Sequence, residues 1–264
     1  MEVVSQTHQG MIRDHNEDSF LVDESLGLYI VADGMGGHRA GDVASRIAVD
    51  AVRKRLQNAL AGSPLSDADL ALEVSSAVEF ANQEIRSAAL RTPDQKGMGT
   101  TIVLILVRGG KAVLAHVGDS RAYRWRGADF AKLTQDHSLL QEQVGAGVLT
   151  NREAKFSHNR NLVTRALGVE PRVEVEVQPI DIRQGDTFLL CSDGLNTMVD
   201  DIDIHHTMRE VGANLPLAGR CLVEIANDNG GHDNVTLLLL RVNEVKPPEE
   251  EAGFGRRLMR MFGL

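Results

Sequence analysis

The sequence predicts an α+β fold in which helices pack on antiparallel sheets, and three features carry that reading. Short apolar runs rich in β-branched residues recur along the chain, some joined by tight turns. Two long stretches with helical spacing follow one another directly, and strands and helices do not alternate regularly as a parallel βαβ chain would require. A chain of 264 residues suits one large domain or two small ones, with enough length to bury a substantial core.

Taken in order, strands are expected at 27–32, 100–107, 112–117, 122–125, 173–177, 187–191 and 235–242. The Arg108-Gly109-Gly110 turn marks an antiparallel hairpin. A helix is expected over 40–60, where Val43, Ile47, Ala51 and Leu56 keep near-helical spacing. A second is expected over 66–90 on the face Leu70, Val74, Ala77, Ala81 and Ile85. It starts at Ser66 with Asp69 three residues on, an acidic form of the capping box, and stops before Pro93. Leu217, Cys221 and Ile225 mark a later helix. The stretch 136–168 is polar with only short apolar pieces and reads as an excursion or mobile subdomain. The domain is expected to occupy 1–243. Residues 244–264 form a linker, built on the KPPEEE run, and a basic tail.

Composition narrows the function. With 42% hydrophobic and 25% charged residues the chain is ordinary globular material. Aromatic residues make up 4%, too few for base-stacking platforms, and 28 basic against 37 acidic residues give a net charge of −9 that repels a polyphosphate backbone. No nucleic-acid partner is expected. Cys191 and Cys221 form neither a CxxC nor a zinc-type spacing and read as buried packing residues, which points to a reducing, cytoplasmic setting. The first ten residues lack a basic stretch and an apolar run, so no signal peptide is expected. The longest apolar stretch, 102–107, is far short of the roughly 20 residues that span a bilayer.

Excess carboxylate can hold divalent cations, and four aspartates sit at the edges of apolar runs. Asp33 ends YIVADG, Asp119 ends VLAHVGDS, Asp193 ends FLLCSDG and Asp233 precedes the last strand in GHDN. One Asp-Gly alone is a common turn former. Several carboxylates converging from strand ends would repel one another unless cations lay between them. Oxygen donors without thiolate suit Mg²⁺ or Mn²⁺. Two such ions about 3.5 to 4 Å apart make a nucleophile from water and clamp a phosphoryl oxygen, so phosphate-ester hydrolysis is the natural chemistry. Arg13, close in sequence to Glu17 and Asp18, offers a fork for a bidentate phosphate.

Six segments in order carry a resemblance: Gly10-Met11-Ile12-Arg13-Asp14-His15-Asn16-Glu17-Asp18, Asp33-Gly34-Met35-Gly36-Gly37-His38, Gly97-Met98-Gly99-Thr100-Thr101, Val117-Gly118-Asp119-Ser120-Arg121, Ser192-Asp193-Gly194-Leu195 and Asp233-Asn234-Val235-Thr236. Each is weak alone; together they resemble the ordered motifs of the metal-dependent protein phosphatases, the PPM or type 2C family, in its bacterial branch. The resemblance runs from Glu2 to Val242. It implies a four-layer α-β-β-α sandwich with a flap subdomain at 136–168, and phosphorylated serine and threonine proteins as substrates.

Carried over by position, the resemblance implies that Asp33 bridges two central Mn²⁺ or Mg²⁺ ions and that the Gly34 carbonyl binds the first. Asp193 and Asp233 complete the second, and Asp119 with Asp193 holds a third, weaker ion. Arg13 binds the substrate phosphate. Glu17 and Asp18 act through waters in the outer shell, and Asn234 supports that shell. Some members have His directly after the Asp-Gly pair, where this chain has Met35. Protonation of the leaving oxygen therefore falls to His38 or to a metal-held water. His116 reads as a satisfied polar group inside its strand.

Arg152, Lys155, Arg160 and Arg165 in the flap are placed either to select acidic substrate loops or simply to solvate a mobile loop. In the tail, Phe254, Leu258 and Met261 share a helical side with Arg256, Arg257 and Arg260 nearby, a weak membrane or partner docking segment or else an unstructured or locally packed end. A dinucleotide fold is excluded, because G-x-G-x-x-G counted from Gly34 demands glycine where Arg39 stands. A catalytically silent binding module is disfavoured because Asp33, Asp119, Asp193 and Asp233 are all present. The expected protein is a monomeric enzyme that opposes a bacterial Ser/Thr kinase.

Overall fold

The continuous apolar runs arise because both sheets are covered on both faces. Alternate residues of one strand then serve different apolar layers, and no position needs to be polar. In the computed structural model, which describes residues 1–36, 40–62, 65–150, 153 and 162–245, one antiparallel sheet has the order β1 (Glu2–His8), β11 (Val235–Arg241), β10 (Thr187–Cys191), β7 (Arg121–Arg126) and β8 (Asp129–Lys132). The second runs β2 (Asp18–Asp23), β3 (Leu28–Met35), β5 (Ile102–Arg108), β6 (Lys111–Val117) and β9 (Glu176–Asp181), with the short β4 (Gly99–Thr100) on the end of β3.

Between the sheets lie Tyr29, Val31, Val103 and Ile105 from one side and Phe188, Leu190, Leu238 and Leu240 from the other. On the outer face of the second sheet, Leu28, Ile30, Leu104 and Leu106 meet α1 (Ala40–Ala59) and α2 (Asp67–Arg91). On the outer face of the first, Leu189, Leu237 and Leu239 meet α4 (Asp193–Asn196), α5 (Asp201–Val211) and α6 (Leu215–Asp228). The result is the four-layer α-β-β-α sandwich. A further helix, α3 (Leu139–Gly145), lies within 136–168 and starts at the Ser138 cap.

The expected face of α2 is buried residue for residue, and the Ser66 side chain caps it by accepting from Asp69 N–H at 3.2 Å. α1 is turned part-way from expectation: Ala51 and Leu56 are buried as expected, but Ala44, Ala48 and Val52 are buried with them, whereas Val43 and Ile47 are only half-buried. Small alanines let the helix sit close to β3 and give a weak hydrophobic signal. Likewise α6 buries Leu215, Ala218, Leu222 and Ala226, leaving Leu217, Cys221 and Ile225 half-buried on its flank. Cys191 is buried as expected; Cys221 is not, and both are free thiols.

The strand expected at 173–177 begins its pairing at Glu176, although Val173, Val175 and Val177 do pack on the helix-side core. His116 is buried, and its Nε2 lies 2.8 Å from the Gln135 carbonyl oxygen. At the far end of 136–168, Leu167 is fully buried and exchanges both backbone hydrogen bonds with Thr100. Residues 246–264, and with them the tail, lie outside the described residues. No helix among the described residues is long and apolar enough to cross a membrane.

Candidate metal centre

Five aspartates reach one cleft from five places in the chain. Asp33 lies near the end of β3, and Asp18, the first residue of β2, is its register partner across the ladder. Asp119 follows β6 in the turn to β7, Asp193 opens α4 directly after β10, and Asp233 lies between α6 and β11. Register partners on an antiparallel pair have Cβ atoms about 4.5 to 5.5 Å apart, close enough for like charges to destabilise each other.

The acids respond as a crowded group should. Desolvation holds the Asp33 carboxyl well above the usual range, and Asp18, Asp193, Asp119 and Asp233 push it further. Asp18 is raised to about 7, chiefly by burial and then by Asp193 and Asp233, against hydrogen bonds from Thr236 and Ser192 that lower it. Asp119 also rises to about 7, through burial and then Asp193 and Asp136. Asp193 rises to about 6 from burial and Asp233, offset in part by a hydrogen bond with Asp33.

The backbone around them is tightly fixed. The Asp33 carbonyl accepts from Thr101 N–H at 2.9 Å and from the Thr100 hydroxyl at 2.8 Å. At Gly34 a Cβ would lie 2.2 Å from the Gly41 carbonyl oxygen and 2.6 Å from that of Glu17, so only glycine lets β3, the start of α1 and the 9–17 arm meet here. The Gly34 carbonyl oxygen and Glu17 Oε2 border the same small space beside Gly41.

Arg13 is half-exposed and donates to Asp233 Oδ2 at 2.6 Å. Its arm is held by Asn234, whose amide donates to the carbonyls of Gln9 and His15 at 2.8 and 2.9 Å while its oxygen accepts from Glu17 N–H at 2.8 Å. Asn234 thus clamps the backbone that carries Arg13. Glu17 is raised by desolvation against the pull of Arg13 and His15.

Of the expected site residues, Arg13, Glu17, Asp18, Asp33, Gly34, Asp119, Asp193, Asp233 and Asn234 are gathered around this cleft. His38 lies outside the described residues, as do Arg152, Lys155 and Arg160. Arg165 is paired with Glu174 at 3.2 Å. Residues that the sequence reading passed over are Ser192, whose hydroxyl donates to Asp18 Oδ2 at 2.8 Å, and Thr101, whose hydroxyl meets both Asp33 N–H and Ser120. Both stand inside the quoted motifs, but small hydroxyl residues at strand ends carry no distinctive spacing signal.

The donor set fits a hard divalent ion. Asp18 Oδ1 and Asp193 Oδ1 are buried with no hydrogen-bond partner, an arrangement that costs free energy unless something positive is bound. All the converging donors are oxygens, which suits Mg²⁺ or Mn²⁺ and not a thiolate-seeking metal.

Comparison with known proteins agrees. The family described as Protein phosphatase 2C matches residues 7–216. The serine/threonine phosphatase stp of Listeria innocua is 37% identical over 246 residues, covering 92% of this chain and 96% of the relative. The crystal structure of the Mycobacterium tuberculosis serine/threonine phosphatase PstP/Ppp superposes with a TM-score of 0.84 at 34% identity, covering 92% of this chain and 99% of that one. The PstP catalytic domain solved in complex with two manganese ions gives a TM-score of 0.79 at 35% identity, covering 92% and 98%. With the cleft, the four layers and the ordered motifs in agreement, the chain belongs to the protein phosphatase 2C family.

Proposed function

We propose that the protein is a serine/threonine phosphoprotein phosphatase acting through a pair of Mn²⁺ or Mg²⁺ ions. The observation that carries this reading is the convergence of Asp18, Asp33, Asp119, Asp193 and Asp233, with buried carboxylate oxygens left unpartnered at Asp18 and Asp193. Asp33, the Gly34 carbonyl, Asp193 and Asp233 would hold the central pair. Asp119 with Asp193 would hold a third ion, and Glu17 and Asp18 would act through the surrounding waters. When bound, such ions supply Lewis acidity and a water acidic enough to attack phosphorus at neutral pH.

The chain's own groups do the rest. Arg13 exchanges its Asp233 partner for two phosphate oxygens, and the fork geometry of guanidinium orients the ester. Asn234 holds the 9–17 arm so that this exchange happens at a fixed place. Burial and mutual repulsion raise the acids, and bound cations would favour their charged forms. The leaving oxygen takes its proton from His38 or from water. Cys191 and Cys221 take no part.

The catalytic domain is assigned to 1–243 with the flap at 136–168, and the enzyme to a monomeric, cytoplasmic signalling role opposite a Ser/Thr kinase. The bacterial Ser/Thr phosphatases to which the chain is similar support the phosphatase activity itself. Hydrolysis of p-nitrophenyl phosphate and of a phosphothreonine peptide, measured with Mn²⁺ and then with excess chelator, tests the proposal. Turnover that requires Mn²⁺ is expected; turnover indifferent to chelation would refute it.

A further inference from the structure

Beyond the aspartate cleft, His116, His137 and Glu176 bring two imidazoles and a carboxylate within 4.8 Å of one another. That donor set ordinarily suggests a transition-metal site, but the hydrogen bonds decide otherwise. Gly118 donates its N–H to His137 Nδ1 at 3.1 Å, so the neutral ring carries its proton on Nε2, which faces Glu176 Oε1 at 3.0 Å. His116 Nε2 faces the Gln135 carbonyl oxygen at 2.8 Å, an acceptor only, so it too bears a proton. With its Nδ1 lone pair taken by Gly118 N–H and its Nε2 protonated, His137 has no lone pair left for a metal. The two rings stack with centroids 4.8 Å apart, and the cluster is a brace.

What it braces is the turn that carries Asp119. His137 donates its backbone N–H to the Gly118 carbonyl at 2.9 Å, so Gly118 is held on both of its polar groups by this one residue. Gly118 has φ +106°, and a Cβ there would lie 2.6 Å from the Thr101 side chain. Only glycine fits this position, so the turn that presents Asp119 is specified locally as well as by His137. Arg121, two residues past Asp119, donates to both carboxylate oxygens of Asp136, at 2.7 Å for the shortest bond. The 118–121 and 136–137 segments are thus cross-linked at both ends. The His137 carbonyl also receives Thr164 N–H at 2.9 Å, from the returning end of the flap.

We propose that His137, held in orientation by Glu176, is a positioning residue that fixes the Gly118 peptide and thereby the aim of Asp119, so that it sets the affinity for the ion Asp119 holds. The inference deepens the metal reading given above and rests on it. Partners one step behind a metal ligand typically change metal affinity by about 10- to 100-fold. His137 never touches substrate or ion in this scheme. Its effect passes through two hydrogen bonds to Gly118, one accepted by its side-chain Nδ1 and one donated by its backbone N–H.

The test is calorimetric Mn²⁺ titration of the full chain, alongside melting of the metal-free protein, for wild type, Asp119→Asn, His137→Leu, His137→Asn and Glu176→Ala. The weakest Mn²⁺ site should weaken roughly 10- to 100-fold in His137→Leu while the tighter sites hold. Asparagine places an oxygen near the position of Nδ1, so His137→Asn should recover affinity to within a few-fold of wild type, and Glu176→Ala should fall between. If His137→Leu melts earlier yet binds every ion as wild type does, the residue is merely structural and the proposal is overturned. Should the leucine variant not fold, wild-type affinity in Glu176→Ala overturns it equally. Failure of the metal reading looks different: wild type binds no Mn²⁺, or Asp119→Asn binds as wild type, and the proposal then falls with it.

Discussion

Asp18 and Asp33 are register partners across the β2–β3 ladder, and both carboxyl groups are held above their usual range. Two acids directly opposed at the end of a hairpin oppose folding when both are charged. The sequence keeps them together with Asp119, Asp193 and Asp233, so the cluster is relieved either by holding protons or by bound positive charge.

Asp18 shifts from an ordinary 3.8 to about 7, so the folded protein holds more protons than the unfolded chain between those values. Stability of the metal-free protein should therefore fall as pH rises from about 4 through 7. Mn²⁺ should reverse the loss, and its effect on the melting temperature should grow with pH as protons no longer compete. Thermal scans at pH 5, 6, 7 and 8, with chelator and with Mn²⁺, check both trends.

Asp33→Asn removes an acid that burial and four neighbouring carboxyls hold well above its usual range. Turnover should drop by at least the roughly 10- to 100-fold that loss of an outer partner causes at metal sites. Near-normal activity in this variant would defeat the assignment of Asp33.

Arg13→Ala should act on binding. A charge-assisted hydrogen bond is worth about 1.5 to 3 kcal/mol, or a roughly 10- to 100-fold rise in KM, with kcat less affected. Steady-state kinetics on a phosphopeptide separate the two parameters.

Asn234→Ala removes three hydrogen bonds from the 9–17 arm. The melting temperature should fall by an amount equivalent to about 1 to 3 kcal/mol, and KM should rise because the Arg13 backbone is loosened. Calorimetric melting and kinetics on the same preparation check the pairing of the two effects.

How far the sequence disclosed this molecule depended on what each element must bury. The α2 face, Leu70 through Ile85, was legible because large and small apolar residues share one stripe. The orientation of α1 was not, since it packs through Ala44 and Ala48, whose small side chains are outweighed by the half-buried Val43 and Ile47. Strands β1 and β2 escaped notice because edge strands keep polar residues such as Ser5, Gln6 and Asp18. The cleft aspartates were visible as Asp-Gly and Asp-Asn pairs at strand ends. Their pairing in space was not, because ladder register joins Asp18 to Asp33 and Asp193 lies far away in the chain. Asn234 showed the same limit: its motif marked the position, while its clamp on Gln9, His15 and Glu17 follows only from the fold.

The most direct measurement is anomalous scattering from crystals grown with Mn²⁺. Peaks among Asp33, Asp193 and Asp233, with a weaker one at Asp119, are the expected result. A cleft without manganese at saturating concentration, or peaks confined to the His116–His137 pair, would contradict the account.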